Sequence, residues 1–360
     1  MRFIVVCRIL EMTKLPAAHL PATIEPAYLY APVEQVNEAT AHYIGTMAKA
    51  MQHNGRQLVH VDTIAAVPDR AVTIVVECKS AIKLRLCRPS SRTWIWLQGI
   101  VPEEARLHMD SVSREQLWNL FERYSLFSAE GLVMVSDAMR QHYGRKFPRM
   151  RTPAFVMPCV NAVLNPQLIS AIADRYDRPT FVYAGSMHAW QCIGLMLASF
   201  ANVQSVLPSA TLTILTKDRA GAEAAIGEAG LSGITVDFVP LNALQDTLKK
   251  FKYGFVLRDD HIVNQVATPT KVSSYMAAGV IPVMTDAVRD YAVRLRDVDP
   301  IVIARDHGPE AIGAEILSLE NRAITADHVI RSYGRIFSDY FDHDIYVDGL
   351  AEFFSRQRER

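Results

Sequence analysis

The residues best suited to chemistry crowd into one stretch, Tyr253 to Met284, and one turn, Gly185–Ser186. The stretch holds Arg258, Thr268, Pro269, Thr270, Lys271 and Ser274. A guanidinium, an ammonium, hydroxyls and free helix-start amides together suit a phosphate group. The stretch parses as strand, loop, helix, strand. Phe255 to Leu257 is an apolar run fit for a buried strand. Arg258 to Thr268 is polar and irregular, as a loop is. Pro269 suits a first helical turn, and the Thr268 hydroxyl can cap free amides just before it. Val272, Tyr275, Met276, Ala277 and Ala278 give a packable helix face, which Gly279 ends. Ile281 to Met284 is the next strand. Such a unit aims a helix start bearing Lys271 at the crevice outside a parallel sheet, where anions bind. The alternative for Lys271 is a solvated first-turn lysine. For Arg258 it is an ion pair with Asp259 or Asp260. Asp259, Asp260 and His261 invite a metal reading, but no further ligand set accompanies them, so no metal is expected.

These residues need a scaffold, and the chain supplies alternating short apolar runs and helical patterns. Phe3 to Cys7, Leu58 to Val61, Val72 to Val76, Thr93 to Leu97, Leu132 to Val135 and Ala154 to Met157 read as strands. Residues 12–32 carry four prolines and read as a long loop. Val33 to Asn54 and Glu115 to Phe127 read as helices. The alternation restarts with strands at Phe181 to Ala184, Leu212 to Leu215, Ile234 to Phe238, Phe255 to Leu257, Ile281 to Met284 and Ile301 to Ile303. This pattern predicts α/β architecture with helices on both faces of parallel sheets. The expected organisation is an N-terminal domain over 1–160, a linker over 161–178, a C-terminal domain over 179–326 and an aromatic helical tail over 327–360.

Composition narrows the class. The chain has 360 residues, half of them hydrophobic, and a formal net charge of zero. No overall basic character invites nucleic acid. Residues 1–168 hold 19 Lys+Arg against 14 Asp+Glu, and the remainder carries the opposite imbalance. A basic first half suits an acidic acceptor or an anionic membrane surface; scattered charge without a role is the alternative. Five widely spaced cysteines with no C-x-x-C suggest reduced thiols in a cytoplasmic protein. No apolar run is long enough to span a bilayer, and Arg8 and Glu11 interrupt the start too early for a signal peptide.

Several nucleotide and hydrolase signatures are missing. No G-x-G-x-x-G follows a strand, and there is no P-loop or G-x-S-x-G elbow. Four other segments carry a resemblance. They are W-I-W-L-Q-G-I-V-P-E-E (Trp94 to Glu104), V-M-V-S-D-A-M-R-Q-H-Y (Val133 to Tyr143), V-Y-A-G-S-M-H-A-W-Q (Val182 to Gln191) and A-T-P-T-K-V-S-S-Y-M-A-A-G-V-I-P-V (Ala267 to Val283). In order and spacing the chain resembles the bacterial GT-B glycosyltransferases of the retaining family 4 kind, as found in polysaccharide and capsule clusters. It departs from them where two glutamates eight positions apart are usual: Val266 and Ser274 stand there.

The resemblance implies two Rossmann-like domains facing a cleft, with the C-terminal helix packing back on the first. It implies transfer of a sugar from a nucleoside-diphosphate sugar to a glycan or lipid-linked acceptor, with retention, without metal and without a further cofactor. Fixed positive groups would stabilise the leaving diphosphate. Arg258 and Lys271 are the expected catalytic groups. Gly185, Ser186, Trp190, Lys217, Thr268, Pro269, Thr270 and Ser274 are the expected nucleotide-sugar residues. Gln98, Gly99, Glu103 and Glu104 are expected on the acceptor side, although Glu103 and Glu104 also suit a helix's first turn. Trp190 is either core or a cap over the donor, and His188 a surface residue. The expected location is the cytoplasm, with peripheral contact at the inner membrane. Two other readings are a non-catalytic nucleotide-sugar-binding or assembly subunit and a GT-B sugar-nucleotide epimerase.

Overall fold

A computed structural model describes residues 25–32, 36, 38–109 and 111–356. The expected strand at Phe3 to Cys7 lies outside them. Twelve strands are described, in two six-stranded sheets. One has the order β2-β1-β3-β4-β5-β6: β1 Glu25–Tyr30, β2 Arg56–Val61, β3 Val72–Val76, β4 Arg92–Leu97, β5 Gly131–Met134 and β6 Ala154–Val156. The other has the order β12-β11-β10-β7-β8-β9: β7 Thr180–Ala184, β8 Thr211–Leu215, β9 Thr235–Asp237, β10 Tyr253–Val256, β11 Ile281–Thr285 and β12 Val302–Ala304. Every described pairing is parallel. Parallel strands need crossovers, and helices between the strands supply them.

The prolines mislead at β1. Residues 12–32 are expected to form a loop, yet Glu25–Tyr30 is a strand between β2 and β3. Pro26 is tolerated because the ladder to β3 starts only at Ala27, paired with Val72. Tyr28, Leu29, Tyr30 and Ala31 are buried, which offsets the poor start.

The chain divides into two compact units that are interleaved in sequence. The first unit takes Met1–Asn161, Val266–Thr268 and His343–Arg360; the second takes Ala162–Gln265 and Pro269–Asp342. In the first, Trp96 stacks on Tyr43 at 4.4 Å between centroids. The Tyr43 hydroxyl donates to the Met157 carbonyl at 2.9 Å. The helix Val347–Ser355 buries Leu350, Phe353 and Phe354. Phe354 meets Trp94 edge-on at 5.9 Å, and Phe353 lies 5.8 Å from Phe155. His343 Nε2 lies 2.8 Å from the Pro158 carbonyl. From His343 to Phe354 the aromatic tail is therefore core material of the first unit.

In the second unit Phe181 stacks with Tyr253 at 4.8 Å and with Phe255 at 5.5 Å, across β7 and β10. Buried Arg175 donates to the carbonyls of Phe251 and Ala278 at 2.6–2.8 Å, fixing the ends that precede β10 and β11. A guanidinium buried against carbonyls satisfies backbone acceptors that the sheet leaves open.

Candidate functional site

The second unit builds its site at the carboxyl ends of β7 and β10, the edge where open parallel sheets hold ligands. The helix Lys271–Ala277 starts there. Lys271 is not the solvated first-turn lysine of the alternative reading. Its Nζ donates to the Tyr183 hydroxyl at 3.0 Å and to Gln191 Oε1 at 2.5 Å. The ammonium also sits 4.2 Å from the Tyr183 ring centre. Tyr183 donates its own proton to the Ser186 carbonyl at 2.5 Å. The lysine is thus anchored on three sides.

Gly185 makes this approach possible. A Cβ built there would stand 2.5 Å from both Cε and Nζ of Lys271. Only a glycine leaves room for the ammonium beside the backbone at the end of β7.

Arg258 follows β10 and is buried. Its guanidinium donates to the Leu257 carbonyl at 2.7 Å, and its backbone is clasped by Thr285, whose hydroxyl donates to the Arg258 carbonyl at 2.6 Å. The alternative ion pair with Asp259 or Asp260 is not formed. Asp259 accepts from Asn264, and Asp260 pairs with Arg289 at 2.8 Å. Burial pushes the Arg258 pKa down, and the nearby Tyr183, Cys192, Tyr275 and Asp259 push the other way. Burial also holds Lys271 well below the usual lysine value, with the Arg258 charge adding to it. Two cations therefore share a desolvated corner, with no carboxylate within ion-pair reach of either among the described residues. The Arg258 charge disfavours the charged form of Lys271, and an anion placed beside both would favour it.

Tyr275 ties the helix to β7: its hydroxyl accepts from the Ala184 amide at 2.9 Å. Ser274 is buried, and its carbonyl accepts from Gln245 Nε2 at 3.0 Å. Trp190 is half-buried rather than core and stacks on exposed His188 at 4.4 Å. Lys217 follows β8, exposed, with its ammonium 5.6 Å from the Phe238 ring. The Pro269 carbonyl accepts from the Tyr291 hydroxyl at 3.5 Å and Thr270 stands at the helix's N-cap position.

Thr268 is expected to cap that helix. Its hydroxyl instead accepts the Cys159 amide at 3.2 Å, within the first unit, and no side chain caps the helix. Buried Val266 also belongs to the first unit, where its carbonyl accepts from Ser136 Oγ at 2.6 Å. The stretch thus supplies residues to both units.

The residues expected on the acceptor side are in the first unit. Glu103 is engaged by Lys146 Nζ at 2.8 Å, and His142 Nε2 lies 3.1 Å from the same oxygen. Glu104 Oε1 accepts the Ile100 amide at 3.1 Å and lies where a side chain at Gly99 would stand. Both carboxylates serve the helix Val101–Met109 and its surroundings. Gln98 is different: its Nε2 is buried without a partner among the described residues. Sequence reasoning misses Tyr183, Gln191 and Tyr275 as site residues, although all three lie inside the segments that carry the resemblance. Among the described residues, no group of three or more His, Cys, Asp or Glu gathers as a metal site, and no helix is long and apolar enough to cross a membrane.

Solved structures share this fold. A mutant of S. aureus TarM, in complex with fondaparinux, alpha-GlcNAc-glycerol and UDP, is 11% identical, with a TM-score of 0.59. That match covers 79% of this chain and 55% of TarM, so the chain spans about half of TarM's length. The UDP-forming alpha,alpha-trehalose-phosphate synthase of Burkholderia vietnamiensis is 12% identical, with a TM-score of 0.58 over 86% of this chain and 79% of that one. An E. coli trehalose-6-phosphate structure bound with UDP-2-fluoro glucose gives 10%, 0.59, 87% and 77% in the same order. No protein-family model and no curated protein matches the chain. At such identities the likeness establishes architecture: two Rossmann-like units of the GT-B fold.

Proposed function

We propose that the chain is a glycosyltransferase that takes a sugar from a nucleoside-diphosphate sugar and passes it to a glycan or lipid-linked acceptor. The observation that carries this reading is the pair Lys271 and Arg258, two desolvated cations without a carboxylate at the carboxyl edge of a parallel sheet. A diphosphate supplies the missing negative charge. As the sugar bond breaks, charge grows on the leaving diphosphate, and prearranged cations stabilise that growth. The presence of UDP in the TarM complex and of a UDP-sugar in the E. coli structure supports a nucleotide-linked donor. Arg258 and Lys271 take the catalytic role in this reading, with Gly185, Ser186, Trp190, Thr270 and Ser274 around the donor. Retention, a hexosyl donor, metal independence and a role in surface polysaccharide at the cytoplasmic face of the membrane complete the proposal. They rest on the four motif segments.

The test is a melting panel with UDP, GDP, ADP and dTDP, followed by turnover with the sugar of whichever nucleotide binds. One nucleotide should raise the melting temperature, and turnover should persist in EDTA. Lys271→Met should lower nucleotide affinity about tenfold or more, since a charge-assisted hydrogen bond contributes ~1.5–3 kcal/mol. The folded protein should tolerate that change, because a buried amine crowded by Arg258 is itself unfavourable. No response to any of the four nucleotides, or unchanged affinity in Lys271→Met, would overturn the reading.

A further inference from the structure

Glu77 stands directly between β3 and the helix Glu77–Cys87, with no loop to separate them. Its φ is +61°, in the left-handed region that side chains rarely adopt. Such strain persists where the surroundings enforce it, and it concentrates at functional positions. A tight strand-to-helix turn in strained geometry is also how a reactive side chain is presented at the top of a parallel sheet. Glu77 is only partly buried, and its carboxyl makes no hydrogen bond or ion pair with the described residues.

The neighbouring strand offers the complementary group. Val76 pairs with Trp96, so Glu77 and Gln98 lie just past the ends of adjacent strands β3 and β4. Gln98 Nε2 is buried and unpartnered, and so is Trp96 Nε1, two residues earlier in a side chain 1% exposed. Buried donors without partners cost free energy unless something arrives to accept from them. The charged groups felt by Glu77 are Glu104, on the helix Val101–Met109, and Lys79, on its own helix; the Cys78 thiol is adjacent. Burial first, and the Glu104 carboxylate second, raise the Glu77 pKa to about 7, with Lys79 opposing.

We propose that Glu77 and Gln98 form a second ligand site, in the first unit, that takes a hydroxyl of a polyhydroxylated compound such as a sugar. Gln98 Nε2 donates to the hydroxyl oxygen, and the Glu77 carboxylate accepts the hydroxyl proton in a hydrogen bond. This deepens the transferase reading and rests on it for one point: on that reading the compound is the acceptor. The carboxylate form binds more strongly, so affinity rises as pH passes upward through about 7. By linkage the bound sugar lowers the Glu77 pKa.

The experiment is carbon NMR on protein labelled at glutamate, without nucleotide, so that its outcome does not depend on nucleotide binding. The Glu77 carboxyl signal is identified by its loss in Glu77→Gln. Its titration is followed alone and with maltose, N-acetylglucosamine or glycerol. A midpoint near 7, lowered by at least one of the three and no longer lowered in Gln98→Leu, is the expected result. A midpoint in the ordinary glutamate range overturns the proposal, as does a raised midpoint that none of the three moves. Movement that survives Gln98→Leu overturns the pairing. Glu77→Gly adds an independent check. Relief of the left-handed strain should raise the melting temperature by about 2–12 °C. A lowered melting temperature would make Glu77 a structural carboxyl instead.

The stability of the wild type should follow the same group. A carboxyl whose pKa is raised on folding contributes stability that is complete below about 4.5 and is lost as pH climbs to about 7. Glu77→Gln should remove that decline.

Discussion

At the scale of single residues, the site depends on Lys271 lying against the backbone of Gly185. Gly185→Ala would bring a methyl group to 2.5 Å from the lysine's Cε and Nζ. The ammonium is the far end of a flexible chain and can move aside, so folding should change little. Its hydrogen bonds to Tyr183 and Gln191 would be lost or lengthened. Nucleotide affinity should fall about tenfold, as measured by calorimetric titration beside a melting curve. Unchanged affinity would detach Gly185 from the site. Lys271, Arg258 and Gly185 stand out in the sequence because the proposed phosphate site would need charges and bare backbone at helix starts. Tyr183 and Gln191 are not legible as partners, since they stand 88 and 80 residues from Lys271 and only the sheet brings them close. Glu77 is invisible for another reason. V-V-E-C-K reads as an ordinary strand end, and a positive φ leaves no trace in composition.

At the scale of elements, the buried parallel strands are the easiest to read, because continuous apolar runs such as Val72–Val76 leave little choice. The prolines near β1 hide a strand that pairs with β3 only from Ala27 onward. The helix Lys271–Ala277 can be foreseen, but its cap cannot. Thr268 has the right chemistry and satisfies a different amide. What sets this helix is Tyr275, whose hydroxyl receives the Ala184 amide. Tyr275→Phe leaves that buried amide without a partner, at a cost of ~1–3 kcal/mol. The melting temperature should drop by roughly 2–12 °C for a unit of this size. Nucleotide affinity should drop with it, because the end of β7 carries Gly185. Loss of stability with intact affinity would show that the helix and β7 hold their places separately.

At the scale of the whole molecule, alternation of strands and helices announces two α/β units, and two six-stranded parallel sheets are present. Their interleaving in sequence can be read only in part. The return of the C-terminal helix to the first unit is expected from the resemblance, but nothing in Val266–Thr268 says which core that segment joins; that depends on Ser136 and Cys159 waiting in the first unit. Deleting residues from His343 onward removes several buried side chains, Leu350, Phe353 and Phe354 among them. Truncation of such residues costs ~2–5 kcal/mol each, which together rivals the whole stability of a domain. Calorimetry should therefore show the first unit's unfolding transition lost and the second's retained. Both transitions surviving would remove the tail from the core.

That same return of the tail has a consequence for biosynthesis. Residues 162–265 and 269–342 of the second unit are all translated before the helix that finishes the first. At about 5–20 residues per second, the early unit waits roughly ten to forty seconds on the ribosome with Trp94 and Phe155 uncovered. The later-made unit can fold while the earlier one is still incomplete. The order of synthesis therefore does not dictate the order of folding.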